Sequence, residues 1–221
     1  MAHRPRPITG YTATDFRRRI RQREPYDRLL IVCEGLTEKH YFDGLVFSLG
    51  LSSANIRISP SRKTDPVEVV RYGIGLAKEA HETGDAYQRL YYVFDLDRPH
   101  QNALDLAAAT RLRKTSLHPV TSSPCFEIWL RLHFGYTDRG FTAVGNKTAC
   151  EAVEEDLRKH EPRYRKGAEG LFGLFVQRMP DAVSNSRRLE VSNQRSGSSN
   201  PSCNVHKLVD DLMTLKADVP K

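Results

Sequence analysis

One run of ten residues, Leu29-Leu30-Ile31-Val32-Cys33-Glu34-Gly35-Leu36-Thr37-Glu38, constrains this chain most. Consecutive apolar residues without a polar alternate suit a strand covered on both faces, as in a parallel sheet. The run breaks at Glu34-Gly35, which puts a carboxylate at the carboxyl end of the strand and a tight turn before a helix. In open α/β sheets that end is where ligands bind. A second such place lies in Leu90-Tyr91-Tyr92-Val93-Phe94 followed by Asp95-Leu96-Asp97. Two buried strands that each deliver acids at the carboxyl end suggest a divalent-metal site.

The intervening sequence supplies the layers. Tyr41, Phe42, Leu45, Val46 and Leu49 line one helical face and Gly50 is a stop. Asn55–Ser59 alternates as a second strand. Asp65 and Pro66 open a further helix as cap and first helical residue. After the strand ending at Phe94, Gln101–Arg113 reads as helix and Ser116–Thr121 as a short closing strand. The order β-α-β-α-β-α-β is that of a parallel sheet sandwiched by helices. Ser123–Phe134 reads as an apolar helix with Trp129 in the core and Glu127 in its first turn, where the helix dipole alone would favour an acid. Beyond Gly140 the pattern is mainly helical: Lys147–Glu161, Gly170–Gln177 and Asp181–Val191, then a loop over Gln194–Ser202 and a closing helix over Val205–Leu212. The predicted organisation is a basic arm over 1–27, an α/β core over 28–140 and a helical carboxyl-terminal annex over 141–221 packed on the core.

Net charge is +7, and residues 1–28 hold eight arginines against three acids, an excess that suits a polyanionic partner such as nucleic acid or an acidic subunit. No apolar run approaches the roughly 20 residues that span a bilayer, and the amino terminus carries no secretory apolar segment, so no membrane partner and a cytoplasmic location are expected. Cys33, Cys125, Cys150 and Cys203 are scattered without a C-x-x-C pair and read as small buried hydrophobes. The absence of G-x-G-x-x-G and of a Walker-type lysine loop argues against dinucleotide and ordinary ATP binding.

Four blocks carry a resemblance: "LLIVCEGLTEKHYF", "VFDLDRP", "SSPCFEIWLRLHF" and "NPSCNVHKLVDDL", in that order over residues 28–215. Together they resemble the RloB-like family, within the wider group of Toprim domains found in topoisomerases, primases and OLD-type nucleases. The resemblance implies a Toprim-like (Rossmann-like) fold that binds one or two Mg2+ or Mn2+ ions and cleaves DNA or RNA. It also implies a role in bacterial abortive infection, that is, phage defence, beside an ABC-type ATPase partner. Carried over by position, Glu34 matches the Toprim glutamate, Asp95 and Asp97 the metal-binding pair, and Glu38 a second acid of OLD-like nucleases. Glu127 sits in a block typical of RloB and joins them as a catalytic candidate.

The chemistry is coherent on its own terms. Phosphodiester hydrolysis needs an activated water and relief of charge in the transition state, and hard cations on oxygen ligands supply both. As alternate residues of a strand, Asp95 and Asp97 would converge, and Glu34 and Glu38, four apart, would share a helical face. The metal candidates are therefore Glu34, Glu38, Asp95 and Asp97, with Lys39, Arg62, Lys63 and Lys166 as candidates to hold the substrate phosphates. Primase-like transfer and topoisomerase activity lack the accompanying modules in 221 residues. An alternative from another class is a non-catalytic nucleic-acid-binding or sensor subunit of a defence complex. Oligomerisation is compatible with either reading.

Overall fold

Strand β1 (Leu29–Cys33) is buried at every position because it lies inside a sheet covered on both faces. The computed structural model describes residues 27–217 except 64, 98 and 99. The basic arm predicted over 1–27 therefore falls, apart from Asp27, outside the described residues. Among the described residues, β1, β2 (Ile56–Pro60), β3 (Arg89–Asp95), β4 (Ser116–Ser123) and β5 (Ser202–Cys203) form one sheet in the order β2-β1-β3-β4-β5. The first four are parallel, and β5 returns antiparallel to β4 through Ser122↔Cys203.

Alternation within β1 divides the core. Leu29, Ile31 and Cys33 pack with Tyr91 and Val93 against helix α1 (Leu36–Leu49) and the carboxyl-terminal helices. Leu30 and Val32 pack with Leu90, Tyr92 and Phe94 against α2 (Pro66–Glu82) and α3 (Gln101–Ala109). Each strand residue thus buries apolar surface, at roughly 25 cal/mol per Å² removed from water. Local signals close the helices as expected. Gly50 ends α1 at φ 68°, and the Asp65 side chain accepts from the Glu68 N–H at 3.1 Å, with Pro66 in the first turn of α2.

Beyond β4 come α4 (Glu127–Leu132), α5 (Ala149–His160), α6 (Met179–Ser196) and α7 (Val205–Ala217). They cover the β1-odd face, and Trp129, Phe126, Leu189, Leu208 and Leu212 lie in the same core cluster as Leu29 and Ile31. Trp129 is fully buried, and Cys33, Cys125 and Cys203 are buried too.

Three predicted elements differ. Gly170–Gln177 is not one amphipathic helix but two 3₁₀ turns, Leu171–Leu174 and Val176–Arg178. Gly170 has φ 70° and Gly173 lies inside the first turn, so this segment lacks the side chains that favour a continuous α-helix. Helix α6 runs to Ser196, where Gly197 at φ 72° stops it, and so takes the start of the segment expected to be loop. The end of that segment is β5. The apolar helix expected over Ser123–Phe134 is shorter, because Ser123 still belongs to β4 and regular helix begins only at Glu127.

Candidate active site

The strand order reverses between β1 and β3, since β2 lies outward on one side and β4 on the other. That topological switch point is where an open parallel sheet leaves a crevice at its carboxyl edge. Glu34 follows β1 there and Asp95 ends β3 there. The Glu34 N–H donates to Val93 O at 2.9 Å, and the Asp95 N–H donates to Glu34 Oε2 at 3.2 Å. The two acids are therefore fixed against each other by the backbone of both strands.

Glu38, in the first turn of α1, is buried beside them. Gly35 makes this approach possible: a Cβ at that position would stand 2.9 Å from Glu38 Oε2. The Gly35 φ of −127° is open to any residue, so the glycine is needed for space rather than for backbone conformation. Glu127 reaches the same place from the far side of the sheet edge. The Leu96 N–H donates to Ser122 O at 2.8 Å, holding the end of β4 against the end of β3, and α4 starts four residues after Ser123 with Glu127 only 1% exposed.

These acids feel one another. Burial first, and then the Glu127 and Glu34 carboxylates, push the Glu38 carboxyl up to about 7, against its backbone hydrogen bond and the Lys166 ammonium. Burial raises Asp95 well above the ordinary carboxylate range, and Glu38, Glu127 and Glu34 add to it. Glu38 Oε2 and Asp95 Oδ1 are buried with no hydrogen-bond partner. Unsatisfied buried oxygens on like-charged neighbours are costly, and a cation or a shared proton is the usual remedy.

On the opposite side of Glu127, the Tyr164 hydroxyl donates to Oε1 at 2.7 Å and Lys166 Nζ lies 3.2 Å from the same oxygen. Lys166 also donates to Glu154 Oε1 at 3.0 Å. Burial disfavours its charge, but Glu127 and Glu154 outweigh this and hold the Lys166 pKa above its ordinary value. The loop that carries Lys166 is tied to α1: the Gly167 N–H donates to Thr37 Oγ1 at 2.9 Å, and the His40 ring is 3.0 Å from Gly167 O.

The other predicted positions fall as follows. Strand β3 stops at Asp95, so the alternation expected to bring Asp97 alongside it does not extend that far, and Asp97 is exposed in the bend beyond. Glu34 lies outside α1, so its proximity to Glu38 comes from the sheet edge and not from a shared helical face. Lys39 is engaged by Asp43 one helical turn on. Arg62 and Lys63 are exposed in the loop after β2, which the Ser61 N–H fastens to Cys33 O at 2.8 Å, directly beside the Glu34 turn. Two histidines outside that set, His133 between Tyr41 and Trp129 O and His206 bonded to Ser186, are packing residues. Tyr164 and Glu154 were not anticipated. Tyr164 contacts Glu127 across 37 residues, and no local spacing announces such a pair.

As a donor set, four carboxylates suit a hard oxygen-seeking cation. Among the described residues, no group of three or more His, Cys, Asp or Glu side chains is placed to hold a metal ion as it stands. Comparison with known families decides the kinship. The family model described as RloB-like protein matches residues 29–212, which contain all of these acids. The chain belongs to the RloB-like family. No curated protein and no solved structure matches it. Within an RloB-like chain, then, the end of β1, the first turn of α1, β3 and α4 supply the acids, and the loop through Tyr164 and Lys166 bonds Glu127. None of the described helices is long and apolar enough to cross a membrane.

Proposed function

We propose that this RloB-like protein is a Toprim-type, Mg2+- or Mn2+-dependent nuclease that hydrolyses phosphodiester bonds of DNA or RNA. The reading extends to bacterial phage defence beside an ABC-type ATPase, as the resemblance to that group implies. The observation that carries it is the gathering of Glu34, Glu38, Asp95 and Glu127 at the sheet's switch point, with two buried carboxylate oxygens lacking any partner.

The residues fit a cation in chemistry. Magnesium often takes only one or two protein carboxylates and completes its shell with water and substrate phosphates, so a preformed cage of three is not required. Asp95 and Glu38 offer the unpartnered oxygens, and Glu34 stands against Asp95. When bound, the ion would acidify a water and offset charge on the phosphorane-like transition state. The remaining work falls to the chain. The Glu38 carboxyl, raised to about 7 without metal by burial and its acidic neighbours, marks the like-charge crowding that a bound cation would relieve. Lys166 is held by Glu127 and Glu154 at the edge of the cluster with about half its side chain exposed, where its ammonium can meet a phosphate oxygen. Arg62 and Lys63 extend the cationic rim on the β2 side.

A second reading, a non-catalytic nucleic-acid-binding or sensor subunit, is favoured by one observation: the described acids do not form a ready cluster for a metal. Titration with Mn2+ followed by cleavage of labelled DNA and RNA separates the two. Metal uptake and cleavage, both lost in Asp95→Asn, support the nuclease; neither uptake nor cleavage supports the binding subunit.

A further inference from the structure

Away from the acids, beyond the carboxyl-terminal end of α4, a groove of about 640 Å³ opens between the 136–138 segment and one face of α6. Its lining includes Tyr136, Asp138, Arg187, Arg188, Val191 and Arg195. We propose that this groove binds single-stranded nucleic acid, with Arg195 on a phosphate and the exposed Arg188 guanidinium, backed by the Tyr136 ring, as the stacking plane.

Helical spacing creates the track. Arg188 and Arg195 are seven residues apart, two turns of α6, so they share a face at an axial separation of about 10 Å. Val191 lies between them on that face and is 44% exposed, an apolar step between two guanidinium groups. The Arg188 guanidinium carbon lies over the Tyr136 ring, 3.8 Å from its centroid. Proteins that hold single strands without sequence preference combine this pair of features, a cationic groove and aromatic or guanidinium planes on which bases stack.

The charge is available. Arg187 is taken by Asp210 at 2.7 Å, and the groove's one acid, Asp138, accepts from the Tyr136 hydroxyl at 3.0 Å. Neither Arg188 nor Arg195 pairs with a carboxylate among the described residues, and both are exposed. An exposed apolar side chain between unpaired arginines suits a ligand that alternates phosphates with flat apolar rings. An acidic peptide would use the charge but leave Tyr136 and Val191 without a role.

Fluorescence anisotropy of labelled 20-mers of deoxythymidine and of uridine with the full chain in EDTA tests the proposal. EDTA removes the metal, so binding here and catalysis at the acids can fail separately. Arg188→Ala/Arg195→Ala is expected to weaken binding about tenfold and to flatten the dependence of log K on log salt by about 0.7, the one single-strand phosphate contact of Arg195. Lys78→Ala/Arg113→Ala, an equal loss of exposed charge elsewhere, is expected to change affinity less than twofold. Tyr136→Leu is expected to weaken binding of the 20-mers but not of an abasic phosphodiester of the same length. Far-UV circular dichroism of each variant checks folding. Equal losses from the groove and control pairs, binding of polyglutamate as tight as that of the oligonucleotides, or no binding at all would overturn it.

Discussion

The Asp95 backbone N–H donates to Glu34 Oε2 at 3.2 Å, so the acid that follows β1 is held by the strand that carries the second acid. This contact joins adjacent parallel strands at the point where the sheet order reverses. The position of one carboxylate therefore depends on the peptide group of the other, which no substitution other than proline removes. Asp95→Asn is expected to preserve the fold and the Glu34 geometry while weakening Mn2+ binding by tenfold or more, as read by isothermal titration calorimetry. Unchanged affinity would take Asp95 out of the metal site.

The raised Glu38 carboxyl makes stability depend on pH in a direction opposite to that of an ion-paired acid. Its folded pKa of about 7 lies above the ordinary value of 4.5, so the folded state holds more protons than the unfolded state between the two. Glu38 is therefore expected to lower stability progressively as pH rises from about 4.5 to 7, by on the order of 3 kcal/mol in metal-free protein. Glu38→Gln should flatten that part of the profile in EDTA, measured by urea unfolding at a series of pH values. A profile identical to that of the parent would show that Glu38 is not the group responsible.

Lys166 lowers the Glu38 pKa from across Glu127. Lys166→Met is expected to move the Glu38 titration further up, observed by carboxyl carbon NMR in the metal-free protein. Tyr164→Phe removes a 2.7 Å hydrogen bond to a carboxylate that is 1% exposed and is expected to cost about 1–3 kcal/mol of stability. Urea melts at neutral pH read that loss.

The sequence made the first strand, its acid and the helix after it legible because each signal is local: an unbroken apolar run, a Glu-Gly break and an apolar helical face closed by Gly50. The alternation of four parallel strands with helices followed from the same kind of signal, though not their order in the sheet. Strand β5 was not legible, since two residues pairing across 81 positions leave no periodicity. Nor was Tyr164, or the tie of Lys166 to Glu127, since these contacts join residues more than thirty positions apart. Asp97 was placed by extending the strand period two residues beyond where β3 ends.

Gly44 illustrates a constraint of the same long-range kind. A Cβ there would stand 2.4 Å from Phe172 Cβ, so α1 meets the first 3₁₀ turn through a glycine. Gly44→Ala is expected to destabilise the protein by about 1–3 kcal/mol despite the gain in helix propensity. A thermal melt that shifts upward would contradict this packing.

The proposed role of the acids at the switch point is metal-dependent phosphodiester hydrolysis. Its most direct measurement is cleavage of labelled plasmid, single-stranded DNA and tRNA with Mg2+ or Mn2+, comparing the parent protein with Asp95→Asn and Glu34→Gln, with and without EDTA. Cleavage of at least one polymer is expected, lost in EDTA and lower by two orders of magnitude or more in both variants. Cleavage that persists in EDTA, or at parental rates in both variants, would contradict it.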